Sequence, residues 1–296
     1  TLHDIKTKFL IKKPISMITA HDYITSKYAE AANVDITLIG DSLAMTSLGY
    51  DTPNEIPFEE MLYHIKAVSR GNKKSLLVAD LPFGSFEQSE AHAIESAIRI
   101  IKEGKVHAVK LEYNTNLAPT VNRLGSMGIP VMGHVGLTPQ QHNTLGGFRL
   151  QGSNAKRALQ IYKQCLEMQD NGAFAIVLEC VPNKVAELIT ENLRIPTIGI
   201  GAGPYCAGQV LVAADVLGMN NPDVHRAKFV KQYANQYEES VGAFRQYINE
   251  VETKQYPLPE HHGYLIKKDE LNEFKAKFEE YNSRNYNKIS ERDEEF

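Results

Sequence analysis

The sequence predicts an α/β fold, a (β/α)8 TIM barrel, and three observations carry that expectation. Eight short runs rich in β-branched residues recur along the chain, at 16–20, 35–40, 76–79, 108–112, 130–135, 174–179, 196–200 and 210–214, each of strand length. Segments with apolar residues at helical spacing separate them. The runs are apolar throughout rather than alternating, which suits parallel strands covered on both faces, and eight strand-helix units close into a barrel. A doubly wound open sheet is the alternative. No similarity at a fixed period runs through the chain, which argues against a solenoid.

Residues 2–10 read as a short helix ahead of the first strand. Ala91, Ile94, Ile98 and Ile101 share one helical face closed by Gly104, and Ala158, Ile161, Cys165 and Leu166 share another closed by Gly172. The segment 221–252 reads as one long helical region, with Phe229, Tyr233, Tyr237, Val241 and Phe244 at helical spacing. Beyond Pro257 and Pro259 the composition shifts toward mixed charge. There Leu271, Phe274, Phe278 and Tyr281 form a narrow apolar stripe ahead of a polar end. The expected organisation is a catalytic barrel over 1–262 and a charged extension over 263–296, a surface or inter-subunit helix followed by disorder.

Composition narrows the function classes. Of 296 residues, 43% are hydrophobic and 23% charged, the balance of a globular protein. Thirty-two Lys and Arg against thirty-six Asp and Glu leave a net charge of -4, with no basic block to track a phosphate backbone, so nucleic acid and anionic membrane are excluded as partners. No run is apolar for the ~18 residues of a membrane span. Cys165, Cys180 and Cys206 are an odd set without CxxC spacing, which points away from a disulfide framework or a cysteine zinc site and toward an intracellular compartment. That compartment is cytoplasmic, or mitochondrial if a leader has been removed ahead of Thr1.

In such a barrel the active site lies at the C-terminal ends of the strands. The second strand ends in Asp41 and Ser42, the third in Asp80, the fourth in Lys110 and Glu112, the fifth in His134 and the sixth in Glu179. Any one Asp in such a place is explained by a helix cap or a turn. Five consecutive ionisable endings are harder to explain that way. Lys110 and Glu112 are two apart on a strand and project to one face, and charges buried this way need partners, a metal or a ligand. Three carboxylates without a nearby Cys are hard-oxygen donors suited to Mg²⁺, with ion pairing to Lys110 as the plainer explanation. The apolar setting of Glu179 would raise its pKa and suit it to general base work, with a structural, hydrogen-bonded Glu as the alternative. His134, between Gly133 and Gly136, reads as structural or catalytic. The glycines of 199–203 suit either a phosphate cradle or tight loop packing and lack the spacing of a dinucleotide motif. His261 and His262 read as surface residues.

The segments ITAHDY (18–23), GDSLAM (40–45), MLYHIKAV (61–68), VADLPF (78–83), VKLE (109–112), GHVGLTPQ (133–140), LGGFRLQG (145–152), AIVLECVP (175–182) and IPTIGIGAG (195–203) resemble, in order, the ketopantoate hydroxymethyltransferase family. The resemblance implies a barrel of the phosphoenolpyruvate/pyruvate superfamily, assembled as a homodecamer. It implies transfer of a hydroxymethyl group from 5,10-methylenetetrahydrofolate to 3-methyl-2-oxobutanoate, giving 2-dehydropantoate for pantothenate and coenzyme A synthesis. It further implies Mg²⁺ on Asp41, Asp80 and Glu112, keto acid contacts from Asp41, Ser42, Asp80, Lys110 and His134, and Glu179 as proton acceptor. An α-keto acid chelating Mg²⁺ through its carboxylate and keto oxygens would lose its C3 proton to give a stabilised enolate.

The chain departs from the family pattern at Tyr113 and Asn114, where two glycines are common, and at Ala44, His21 and Gly84. None of these is a proposed acid, base or ligand, and Tyr113 bears on access of the folate. Two other readings stand beside this one. The first is a Mg²⁺-dependent C-C lyase or mutase of the same superfamily, which would turn over without folate. The second is a catalytically silent scaffold, which would bind neither Mg²⁺ nor a keto acid.

Overall fold

The computed structural model describes residues 1–289 apart from Phe148 and His225. The chain divides into two compact units, Thr1–Tyr237 and Glu238–Phe296. Within the first, eight parallel strands close into a barrel in sequence order: β1 (Ile15–Thr19), β2 (Ile36–Ile39), β3 (Leu76–Asp80), β4 (Ala108–Glu112), β5 (Val131–Gly136), β6 (Ala175–Glu179), β7 (Thr197–Ile200) and β8 (Gly208–Leu211). This is the expected barrel.

Side-chain alternation sorts each strand into two layers. Inward positions such as Met17, Ile36, Leu38, Val78, Ala108, Met132 and Val177 form one apolar cluster. Outward positions such as Ile39, Ala79, Val109, Leu111, Val135 and Leu178 form a second with helix residues Met61, Ile65, Ile100 and Met168. The apolar runs look continuous in the sequence because both faces are buried.

The helix Leu2–Leu10 occupies the predicted span, capped by Thr1 with Asp4 answering as a capping box. Its Ile5 joins the inner cluster and so plugs the end of the barrel where the strands begin. Lys8 pairs with Asp35 just ahead of β2, and Asp35 also accepts from the Ser16 amide at 2.8 Å. The barrel closes through a glycine. Gly208 pairs with both Ile15 and Ile198, and a Cβ there would lie 2.5 Å from the Ile15 carbonyl oxygen.

Two expectations need correction. The eighth strand covers Gly208–Leu211 rather than 210–214, and Ala213 and Ala214 open the helix Ala213–Leu217. The reason is that pairing with Ile15 at the closure selects Gly208 and Gln209, which lack strand-forming side chains. The long helix begins at Gln236, not at 221. The chain before it is held by other bonds: the Tyr233 amide donates to Val216 O, and the Phe229 ring packs over Gly201, 2.7 Å from where a Cβ would stand.

In the second unit, the helices Pro259–His262 and Lys268–Ile289 follow the end of Gln236–Glu252. His261 and His262 are exposed, as expected. Leu271, Phe274, Phe278 and Tyr281 fall on the last helix, with the Phe274 and Phe278 rings 5.8 Å apart. The polar end at 290–296, expected to be disordered, lies outside the described residues. Among the described residues the three cysteines are free, and no helix is long and apolar enough to cross a membrane.

Candidate active site

The inward face of the barrel changes character over one step of two residues. On β3 the inward positions run Leu76, Val78, Asp80; on β4, Ala108, Lys110, Glu112; on β5, Met132, His134; on β6, Ala175, Val177, Glu179. Register sets these ends side by side, with Asp80 opposite Lys110, Glu112 opposite His134 and Gly136 opposite Glu179. Asp41 enters from the turn after β2, where its amide donates to Asp80 Oδ2 at 3.0 Å. Ser42 follows at the head of the short helix Leu43–Thr46, and its hydroxyl makes no capping bond.

Burial is deep enough to govern the chemistry. Exposure runs from 2% for Asp80 to 7% for Asp41, with Lys110, Glu112 and His134 between. Lys110 Nζ donates to Asp80 Oδ1 at 2.5 Å. Burial pushes the Lys110 ammonium down, but the charges of Asp80 and Asp41 outweigh it and its pKa is raised, so the residue stays a cation. Burial, and then the Asp80 charge, push the Asp41 carboxyl up to about 7. Burial, and then Asp41, push Glu112 well above the usual carboxylate range. One ammonium therefore faces three carboxylates, and burial disfavours the charge on Asp41 and Glu112.

That surplus of negative oxygen, buried and short of positive charge, fits a hard divalent cation in donor type and in sign. Among the described residues no group of three His, Cys, Asp or Glu side chains is spaced to hold a metal ion. Instead the carboxylate oxygens bond within the protein, Asp80 to Lys110 and to the Asp41 amide, Asp41 and Glu112 to Gln140.

His134 stands between two carboxylates. Its Nε2 lies 3.1 Å from Glu179 Oε2 and its Nδ1 3.6 Å from Glu112 Oε1, yet neither contact meets the distance and alignment of a hydrogen bond together. Burial and the Lys110 charge lower its pKa, so the ring is neutral at neutral pH. Glu179 is less buried, with 16% of its side chain exposed. Gly136 allows its placement: at φ +99°, a Cβ there would fall 2.4 Å from the Glu179 carbonyl oxygen.

All seven residues singled out in the sequence therefore sit at one end of one barrel, five of them on the four adjacent strands β3 to β6 and two in the turn after β2. Sequence reasoning missed Gln140, in the 3-10 turn Pro139–Gln141. Its Nε2 donates to Asp41 Oδ2 at 2.7 Å and to Leu81 O at 3.0 Å, and its amide donates to both Glu112 oxygens at 3.1 and 3.3 Å. Nothing in the sequence marks it, since it stands in a polar stretch with Thr138, Gln141, His142 and Asn143.

A cavity of about 580 Å³ lies outside the rim of β4 and β5, walled by Tyr113, Thr138, Gln141, Arg149, Gln151 and Arg157 among others. None of the buried ionisable residues lines it. Tyr113 turns its hydroxyl away from the barrel interior to donate to Glu167 at 2.6 Å. The glycines at 201 and 203 press against Phe229 and Asn183, so packing accounts for them without a bound phosphate.

A family model for ketopantoate hydroxymethyltransferase matches residues 1–259. The 3-methyl-2-oxobutanoate hydroxymethyltransferase of Emericella nidulans is 46% identical over 280 residues, 95% of this chain and 80% of that one. A mitochondrial protein of the same name from Arabidopsis thaliana is 45% identical over 278 residues, 93% of this chain and 80% of its own. Among solved structures, 2,3-dimethylmalate lyase, a member of the PEP mutase/isocitrate lyase superfamily, superposes with a TM-score of 0.55 at 12% identity, over 90% of each chain.

Proposed function

Since the chain belongs to the ketopantoate hydroxymethyltransferase family, we propose that it joins a hydroxymethyl group to C3 of 3-methyl-2-oxobutanoate, with 5,10-methylenetetrahydrofolate as donor and 2-dehydropantoate as product for pantothenate synthesis. The observation that carries this reading is the buried excess of carboxylate around Lys110, facing Glu179 across His134.

Asp41, Asp80 and Glu112 are the residues that would hold Mg²⁺. Bound there, the cation supplies positive charge to the two oxygens of an α-keto acid. Lys110 offsets the charge of the substrate carboxylate, and the free Ser42 hydroxyl adds a neutral donor. Glu179 takes the C3 proton, and the electron pair left at C3 forms the new bond to the donor's one-carbon unit, whose bonds to the folate nitrogens break while water supplies the hydroxyl oxygen. A neutral His134 brings no positive charge to its contact with Glu179. The water-excluding interior below the site strengthens each of these charges. The 580 Å³ cavity beside β4 and β5 offers room for a donor larger than the keto acid.

Self-association belongs to the same reading. Phe244, Tyr247, Ile248 and Val251 share one exposed face of the helix Gln236–Glu252, which suits an interface between copies, a homodecamer in this family. An intracellular compartment, cytoplasmic or mitochondrial, fits the free thiols.

The test is proton exchange at C3 in deuterated water with Mg²⁺ and without folate, followed by NMR. Wild-type protein should exchange the proton. Glu179→Gln should exchange it about 10²- to 10⁴-fold more slowly with little change in keto acid affinity. Unchanged exchange would assign the base elsewhere, with His134 next.

A further inference from the structure

Gln140 touches more of the site than any of the charged residues around it. From the loop after β5 it reaches Asp41 after β2, Leu81 O after β3 and Glu112 at the end of β4, and its own carbonyl accepts from Asn54 Nδ2 at 2.8 Å. Asn54 lies in the 3-10 turn Pro53–Glu55 of the β2 loop. Four strand ends are thus tied through one side chain and its peptide.

The amide orientation follows from its neighbours. Both atoms facing Nε2 are acceptors, so turning the amide over would set oxygen against oxygen. Oε1 is consequently left buried without a donor, in a residue only 4% exposed. A buried acceptor in that condition is open to a water or an ion. The bonds to Asp41 and Glu112 also fix the directions of these two carboxylates.

We propose that Gln140 is the positioning residue of the cation site, tying Asp41 and Glu112 into one frame from which they take the metal and the keto acid. The inference rests on the metal reading above and assigns this role to a residue that carries no charge.

Mg²⁺ binding to the metal-free, full-length protein, measured by calorimetry, tests it together with the melting temperature. Gln140→Met keeps length and bulk while removing the donors of the side chain, and it should raise the Mg²⁺ dissociation constant by about 10- to 100-fold. In C3 exchange it should also lower kcat and raise KM for the keto acid. Asn54→Ala, which loosens only the Gln140 peptide, should shift the Mg²⁺ dissociation constant the same way by about two- to tenfold, and it decides the matter if Gln140→Met does not fold. A lowered melting temperature with unchanged Mg²⁺ affinity in both variants would overturn the positioning role while leaving the metal site standing. Absence of Mg²⁺ binding by the wild-type protein would overturn both.

Discussion

The lower and upper levels of the barrel interior are built from the same strands, on the same faces, two residues apart. At the lower level Ile36, Val78, Ala108 and Met132 belong to one apolar cluster that Ile5 joins. At the upper level Asp80, Lys110, Glu112 and His134 take the equivalent inward positions. Apolar burial stabilises the first at ~25 cal/mol per Å² removed from water. The second pays desolvation for every charge, and its one full ion pair, Lys110 with Asp80, relieves only part of it. Stability is therefore concentrated where the strands begin, and the chemistry where they end.

The sharpest break of this contrast is Asp80→Ala, which strands the Lys110 ammonium without its bonded partner. Removing one member of a buried pair costs about 3 to 5 kcal/mol, so this upper-level change should destabilise as much as Ile36→Ala below it, for which about 2 to 5 kcal/mol is expected. The two should part in function. Ile36→Ala should keep its Mg²⁺ affinity and Asp80→Ala should lose it, as urea unfolding and calorimetry on both proteins would reveal. An Asp80→Ala protein of wild-type stability would mean that Lys110 has another counter-charge.

Much of this contrast is legible in the sequence, for a physical reason. Inward positions recur every second residue, so Lys110 and Glu112 announce a common face, and Asp80, His134 and Glu179 stand where apolar runs stop. Charge at a strand end is conspicuous because burying it is costly. Gln140 carries no such mark. Its partner Asp41 lies 99 residues away, and its bonds form only when the β2 and β5 loops converge. The closure at Gly208 was hidden for a related reason: the residue was selected by the nearness of Ile15, not by strand propensity. Phe229 and Tyr233 misled in the opposite direction, since helical spacing of aromatics cannot distinguish a helix face from an extended segment packed on Gly201 and Val216.

The two levels should also answer differently to pH. Asp41 has a folded pKa raised to about 7 by burial and by Asp80, above its unfolded value near 3.9. Between those values the folded state binds more protons than the unfolded one. The contribution of the protonated group is complete below the unfolded pKa and is lost as pH rises through the folded one. Metal-free protein should therefore lose on the order of 2 to 4 kcal/mol from pH 4 to pH 7 through this group. Asp41→Asn should flatten that decline, and saturating Mg²⁺ should reverse it in wild-type protein by favouring the ionised carboxylates. Chemical unfolding at several pH values with and without Mg²⁺ provides the measurement, and a decline of the same steepness in Asp41→Asn would shift the burden to Glu112.

At the opposite end of the barrel the sign inverts and the size shrinks. Burial works to raise the Asp35 pKa, but bonds from Lys8 and from the amide and hydroxyl of Ser16 outweigh it, and the carboxyl is held below its usual range. Here the unfolded chain binds more protons through the acid range, so the contribution is present above the unfolded pKa and disappears as pH falls through the folded one. The Lys8 and Asp35 side chains keep 27% and 13% of their exposure, and solvent screening limits such a pair to about 1 kcal/mol or less. Asp35→Asn should lower stability by roughly that amount at pH 7 and by progressively less as the pH is lowered toward 2, with no effect on Mg²⁺ binding at the far rim. The same unfolding series resolves it. A variant that lost stability equally at both pH values would show that Asp35 acts through shape and hydrogen bonding at the start of β2, rather than through the charge that ties the plugging helix to the barrel.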